Sequence, residues 1–233
     1  MSTLEEAFPL EGGWLCLGFC NTVGWHSGAY RRADLYSAGQ DTPHDWERDA
    51  AVPGAHERFS DYRSLVRWFW RKGQLTLSEV KALLRTARAQ PEAAEGARRR
   101  AIGLREGLYH LFRSLAAEGE APDERDVAAL NAWLPEAMAR RRLALAGGHF
   151  TWVASVPAGE LEGPLWPVVW SAVELLTAGP LDRVRECDND PCGWLFVDSS
   201  RNRSRRWCDM RDCGNRVKAR RHYARTRGAK AAG

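Results

Sequence analysis

Four cysteines, Cys187, Cys192, Cys208 and Cys213, fall in the pattern C-x4-C-x15-C-x4-C near the end of the chain. Two close pairs joined by a connection of hairpin length suit a tetrahedral metal ion gripped from both sides. Four thiolates leave no coordination position open to water, so the chemistry implied is a structural Zn2+, one per chain, rather than catalysis. The rival uses of such a set are two disulfides, an iron–sulfur cluster or unrelated buried thiols. Disulfides fit poorly with a chain whose start, MSTLEEAFPLEGG, lacks the basic-then-apolar layout of a secretion signal, and cluster-binding cysteines favour other spacings. Four thiolates around one dication leave net negative charge, and Arg185, Arg206, Arg211 and Arg216 lie close by in sequence to offset it.

The second cysteine pair runs into RVKARRHYARTR, residues 216 to 227. On a helix turning about 100° per residue, Arg216, Arg220 and Arg227 share one flank with Tyr223 beside them, while Lys218, Arg221 and Arg225 share the opposite flank. Cations on both flanks suit a helix lying in a DNA groove and meeting phosphates of both strands. The candidate DNA contacts are Arg201, Asn202, Arg203, Arg205, Arg206, Asn215, Arg216, Lys218, Arg220, Arg221, Arg225 and Arg227. Asn215 has two readings, a base contact or a helix cap after Gly214, where glycine tolerates a left-handed backbone. Tyr223 and Trp207 suit base stacking or core packing, and His222 reads as structural.

A third set of reactive groups lies near the other end. Cys16 and Cys20 sit in WLCLGFCNTV among apolar neighbours, the usual setting of cysteine used as a small buried hydrophobe. Cys20 with His26 or His44 is the one pairing that suggests a Cys-dependent enzyme. Nothing else in the chain has the form of a catalytic constellation, and the expectation is a protein that is not an enzyme.

Charge is divided unevenly. Residues 1–182 carry 20 Lys+Arg against 24 Asp+Glu, whereas residues 183–233 carry 14 against 6. A short basic module on a mildly acidic body points to a polyanionic partner, duplex DNA first, with RNA or a protein docking surface as the alternatives. No stretch approaches the ~20 apolar residues of a membrane span. The expected location is the cytoplasm, at the nucleoid, with reduced thiols.

The elements that must position these groups are mostly helices. After GGWLCLGFCNTV comes a polar stretch from Gly24 to Pro53, read as a long loop. DYRSLVRWFWRKG, 61–73, is a helix with Leu65, Trp68 and Phe69 on one side; Thr76 to Glu79 forms a capping box opening the next. After Pro91, apolar positions from Ala94 to Leu115 recur in steps of three and four along one long amphipathic helix, with Arg98, Arg99 and Arg100 on a solvated face. Pro122-Asp123 opens a helix with Val127, Leu130, Trp133, Leu134 and Ala137 inward. RRLALAGGHFTWVASV reads as a β-hairpin about Gly147-Gly148, and VVWSAVELLTAG, 168–179, as a last body helix. The fold class predicted is mainly α with a small antiparallel β-hairpin, followed by a small zinc-bound β-hairpin/helix module, divided as 1–182 and 183–233.

The segment RVRECDNDPCGWLFVDSSRNRSRRWCDMRDCGNR closely resembles the CGNR zinc-finger module, on Asp198, Ser200, Asn202, Ser204, Arg205, Arg206, Trp207, Cys208 and the closing Cys213 to Arg216. The body resembles the ABATE domain that accompanies that finger, through LCLGFCNTV (15–23), LREGLYHLF (104–112) and SAVELLTAGPLDRVREC. The resemblance implies a bacterial DNA-binding, stress-linked transcription regulator with cysteine thiolates on zinc; it does not say what the body senses. A small-molecule or stress signal is the expected input of the body, and a homodimer is among the expected states. Asn21, Thr22, Arg105 and Asn131 fall in or near the family-like segments and are the candidate effector contacts. Gly18 stands where the family's opening motif has Asp.

Overall fold

The computed structural model describes residues 12–24, 56–117, 121–189 and 192–231, with Gly24, His56 and 227–231 described by backbone alone. Helix α1 (Leu15–Cys20) lies at the centre and is buried along its whole length. A two-residue pairing of β1 (Val23–Gly24) with β2 (His56–Glu57) follows it; the polar stretch beyond Gly24 lies outside the described residues.

Local chemistry starts each of the next helices where the sequence predicts. Asp61 caps α2 (Tyr62–Arg71) by accepting from the Ser64 N–H at 2.7 Å, and the Ser64 hydroxyl accepts in return from the Asp61 N–H. Thr76 and Glu79 form the corresponding box at α3 (Leu77–Ala89). These reciprocal bonds satisfy N–H groups that an α-helix leaves unpaired at its start. Helix α4 (Pro91–Ala116) is the 26-residue spine, and it buries Ala94, Ala97, Ala101, Leu104, Leu108, Leu111 and Phe112 as its periodicity requires. Rings of Phe19, Phe59, Trp68 and Phe69 meet edge-on or tilted, with centroids 4.9–6.2 Å apart, to close the core around α1.

Helix α5 (Glu124–Ala139) and α6 (Trp166–Ala178) complete the body, α6 packing on α1 and α5. Between them stands a hairpin of β3 (Arg141–Ala146) and β4 (His149–Ala154), paired from Arg141 opposite Ala154 to Ala146 opposite His149. Its turn residues Gly147 and Gly148 both have positive φ, 58° and 82°, the conformation that makes glycine the suitable residue in a two-residue hairpin turn. A second hairpin, β5 (Val184–Glu186) with β6 (Leu195–Val197), leads to the final helix α7 (Asn215–Ala231). The fold is therefore mainly helical with small antiparallel hairpins, as the sequence predicts.

Two details of the body differ from expectation. Val127 is 42% exposed rather than inward, because α5 packs through Leu130 and Ala137 and only partly through Trp133 and Leu134. The run Arg98–Arg100 is not a uniformly solvated face. Arg98 pairs with Glu95 at 2.6 Å and donates to the Phe59 carbonyl, and Arg100 pairs with Glu162 at 3.1 Å and lies over the Trp133 ring.

The core does not stop at residue 182. Val184 and Leu195 belong to the same cluster of buried side chains as α1, α4 and α6. Asn21 at the end of α1 donates from its amide nitrogen to the Leu195 carbonyl at 2.8 Å and accepts from the Leu195 N–H at 2.9 Å, so a side chain pairs with β6 as a strand would. The Val197 N–H donates to the Gly12 carbonyl, the Trp194 indole to the Val23 carbonyl, and the Tyr109 hydroxyl to the Gly193 carbonyl. Gly12 has φ +97°, and a Cβ there would lie 2.9 Å from the Leu195 carbonyl oxygen, so both its backbone and its lack of a side chain serve this contact.

One buried ion cluster ties β2 to α4. Arg105, 2% exposed, meets Glu57 at 2.7 Å and Glu106 at 2.6 Å. Burial works against the ionisation of Glu57, but the hydrogen bonds and charge of Arg105, the Phe59 N–H and the charge of Arg98 outweigh it and hold its carboxyl below the usual range.

Two outcomes follow from these contacts. Asn21→Leu leaves both the N–H and the carbonyl of Leu195 without their partner, at about 1–3 kcal/mol for each buried group, so denaturant unfolding of the zinc-loaded protein should show a loss of about 2–6 kcal/mol. Glu57→Gln should cost about 3 kcal/mol at neutral pH, near the lower end for breaking a buried pair because Glu106 still faces Arg105. A depressed folded-state pKa contributes stability that is present above the unfolded value of about 4.3 and is lost as pH falls through the lower folded value. The gap between wild type and Glu57→Gln should therefore narrow below about pH 4, and a gap that stays constant would refute this role for Glu57.

Candidate metal centre and nucleic-acid interface

Strand pairing delivers the first metal ligand. Cys187 follows β5 directly, and its N–H donates to the Trp194 carbonyl at 2.9 Å, extending the β5–β6 ladder by one step. Cys192 lies on the connection between the two strands, and Cys208 and Cys213 flank and enter the widened turn Met210–Gly214. The four sulfurs lie within 4.8 Å of one another, with Cys192 to Cys208 at 3.7 Å and Cys208 to Cys213 at 3.6 Å. A tetrahedron with zinc–sulfur bonds of about 2.3 Å spaces its sulfurs about 3.8 Å apart, whereas a disulfide would bring them to about 2.05 Å. All six cysteines are free. The donor set and its spacing fit one structural Zn2+, and four protein ligands leave no position for a substrate.

The surroundings favour thiolate at Cys187 first. Hydrogen bonds from the Cys192 and Cys208 thiols push Cys187 down to about 2, helped by the Cys208 N–H at 3.4 Å. The same bonds push Cys192 and Cys208 up. Metal binding requires those remaining protons to leave. Phe196, Trp194 and Trp207 pack around the sulfurs.

The loop between β6 and the second cysteine pair is held by Asp198. Its carboxylate accepts from the Ser200 N–H at 2.8 Å and the Arg205 N–H at 3.0 Å. Burial opposes its ionisation, and the hydrogen bonds from Ser200 and Arg205 outweigh that, leaving its pKa lowered. Arg205, a candidate DNA contact by sequence, is turned inward: it donates to the Trp207 and Cys208 carbonyls and lies 4.7 Å from the Phe196 ring centroid. Gly214 does not have a left-handed backbone; a Cβ there would lie 2.5 Å from the Met210 sulfur and 3.4 Å from Trp207. Its requirement is space.

The other cations divide into two groups. Arg203 pairs with Asp182, Arg206 with Asp188 and Arg216 with Asp212, at 2.6, 2.6 and 2.7 Å. Arg220 donates to the buried Asn189 between the first two ligands, which ties α7 to the metal knuckle. Asn215 donates to the Arg211 carbonyl at 2.9 Å and has a helical backbone, so it closes the Met210–Gly214 turn rather than accepting from N–H groups as an N-cap would. By contrast Arg201, Lys218, Arg221 and Arg225 are exposed and have no carboxylate partner among the described residues, the last three on one flank of α7. Asn202 is exposed on the loop, and the Arg227 side chain lies outside the described residues.

Three of the four effector candidates meet, with Arg105 approaching the Thr22 hydroxyl at 3.5 Å beside Asn21, but all three are committed to contacts within the core, and Asn131 is not among them. Asn21 is engaged with Leu195, the Thr22 hydroxyl donates to the Phe19 carbonyl, and Arg105 is held by its two carboxylates, all three fully or nearly buried. Asn131 is exposed on α5. Gly18 is buried within α1. Cys16 is pushed up to about 12 and Cys20 well above its ordinary value, both chiefly by burial, so they behave as small hydrophobes; His26 and His44 lie outside the described residues. What sequence reasoning missed is a cavity of about 590 Å³ between α4 and α5, walled by Gly103, Gly107, Ala129 and Trp133 with Arg100 and Glu136 among its lining residues. The spacing of Gly103 and Gly107 one turn apart on the long helix was its available signal.

A helical body whose core takes in the base of a four-cysteine zinc module is the class that these features define. Residues 13–179 match the family ABATE, "Putative stress-induced transcription regulator", and residues 183–226 match the CGNR zinc finger. The first match spans well over half of the 233 residues, and the chain belongs to the ABATE family, with a CGNR zinc finger as its C-terminal segment. Comparison with curated proteins gives no match. No helix among the described residues is long and apolar enough to cross a membrane.

Native mass spectrometry should find one zinc per chain, and Cys208→Ser with Cys213→Ser should abolish it. Because β5 and β6 are also held by the body core, removing zinc should raise amide exchange in residues 198–226 more than in 184–186 and 195–197. Zinc retained by the double variant would exclude this ligand set.

Proposed function

We propose that the chain is a one-component transcription regulator in which residues 183–233 bind duplex DNA and residues 1–182 form a regulatory part that senses a small-molecule signal. The observation that carries the DNA reading is the unneutralised flank of Lys218, Arg221 and Arg225 on α7, a helix whose described side chains are almost all exposed. The opposite flank is engaged within the finger through Arg216–Asp212 and Arg220–Asn189. This division turns one basic stripe toward a polyanion while the other holds the helix to the knuckle. Arg201, on the loop braced by Asp198, adds a fourth cation with no carboxylate partner among the described residues. Phosphate contacts of this kind supply affinity and orientation, and this reading carries with it a cytoplasmic protein acting at the nucleoid. The cavity between α4 and α5 supports a sensing role better than the four residues singled out in the sequence, since it offers an apolar recess with one cation and one carboxylate at hand.

Lys218→Ala and Arg221→Ala should each weaken binding to all duplex sequences alike and reduce the magnitude of the log-affinity versus log-salt slope by about 0.9. Both variants should keep their zinc. Arg205→Ala should instead lose zinc affinity, because its guanidinium holds the carbonyls beside Cys208. Preference for single-stranded RNA over duplex would favour the RNA-binding alternative; unchanged duplex affinity in Lys218→Ala and Arg221→Ala would favour protein docking.

A further inference from the structure

The β3–β4 hairpin has no task in DNA binding or in the metal centre. Its register puts Leu143 opposite Trp152 and Leu145 opposite Phe150, so all four side chains project from one face. They are 57%, 48%, 66% and 76% exposed, respectively. The other face carries Arg142, Ala144, Ala146, His149, Thr151 and Val153. Large apolar side chains thus stand exposed together on one face, while the other carries mainly small, polar and charged ones. A two-stranded hairpin of this length is marginal in water without a covered apolar face.

We propose that this face is a homodimer interface, occupied by the same face of a second copy across a two-fold axis. The choice of occupant rests on composition and area. The only charged side chain on the apolar face is Arg141, and its guanidinium is stacked against Trp152 and Trp170, 4.6 and 5.4 Å from their ring centroids. The face therefore offers nothing to a phosphate and nothing that would repel its own copy. Two such faces, each presenting two aromatic and two leucine side chains, remove on the order of 1,000 Å² from water when packed together, which is the extent a specific interface needs. An isologous contact also gives a regulator two DNA-binding helices related by a two-fold axis, the symmetry of a palindromic operator. This last point rests on the DNA-binding reading; the dimer itself does not.

The test uses the full zinc-loaded chain without DNA, so that its outcome is independent of the DNA reading. Sedimentation equilibrium should give a concentration-dependent monomer–dimer equilibrium. Phe150→Asp should weaken it by about 30-fold or more, as expected for a central aromatic anchor, whereas Thr151→Asp on the opposite face should leave it unchanged. Hydrogen exchange of the wild type, which does not depend on how a variant folds, should show protection of residues 141–154 rising with protein concentration. A chain that stays monomeric throughout the soluble range, a Phe150→Asp variant that dimerises like wild type, or concentration-dependent protection that leaves 141–154 untouched would each overturn the proposal. The first of these results would point to a partner of another kind, a different protein or a lipid surface.

Discussion

The contact on which most of the architecture depends is the pair of hydrogen bonds between the Asn21 amide and the backbone of Leu195. A buried strand edge must have its N–H and carbonyl groups paired, and β6 is too short to recruit another strand for the purpose. Asn21 supplies both a donor and an acceptor from one rigid planar group at the end of the fully buried helix α1. With β6 held there, β5 pairs alongside it, and Cys187 emerges from β5 at a fixed place and direction. The metal knuckle is thus hung from the body core. A zinc module of this size has little apolar material of its own, chiefly Phe196 with the flanking tryptophans, and shares the rest with α1 and α4.

Charge in the C-terminal segment serves two purposes that composition alone merges. Arg203, Arg205, Arg206, Arg216 and Arg220 make ion pairs or hydrogen bonds within the finger or with the turn before it. Some of these contacts are exposed and individually weak; their value is in orienting a loop and a helix. Arg205 differs, since it satisfies carbonyls next to a ligand and packs on Phe196. Lys218, Arg221 and Arg225 are left pointing outward. The excess of cations is thereby resolved into an internal brace and one exposed stripe.

The parts of this arrangement legible in the sequence were those decided by neighbours in sequence. The capping boxes at Asp61 and Thr76, the periodic face of α4 and the Gly147–Gly148 turn all depend on residues within a few positions of one another. The metal ligands were legible for a related reason, because four thiols at that spacing have few other uses. Asn21 was noticed for the motif around it, but its partner lies 174 residues away. Nothing local distinguishes an asparagine that pairs with a distant strand from one that binds an effector. The same holds for Arg205 and Arg220: a cation's sequence position does not say whether a buried carbonyl or an asparagine oxygen lies within reach. Val127 kept the helical period and still faces solvent, since the period defines a face and the tertiary packing decides how much of it is covered.

Helix α4 connects the features that the sequence left separate. Gly103 and Gly107 wall the cavity against α5, while Arg105 anchors β2, Tyr109 donates to Gly193, and Arg113 pairs with Glu186 at 3.2 Å. Within about three turns the helix touches the recess on one side and both strands of the finger's hairpin on the other. Close-packed interiors have little room for one contact to move without its neighbours. A ligand in the recess would act on the finger only by binding two arrangements of α4 with different affinity. Tyr109 and Arg113 are the side chains through which such a difference would reach β5 and β6, since Arg113 contacts Glu186 just before Cys187 and Tyr109 contacts Gly193 just after Cys192.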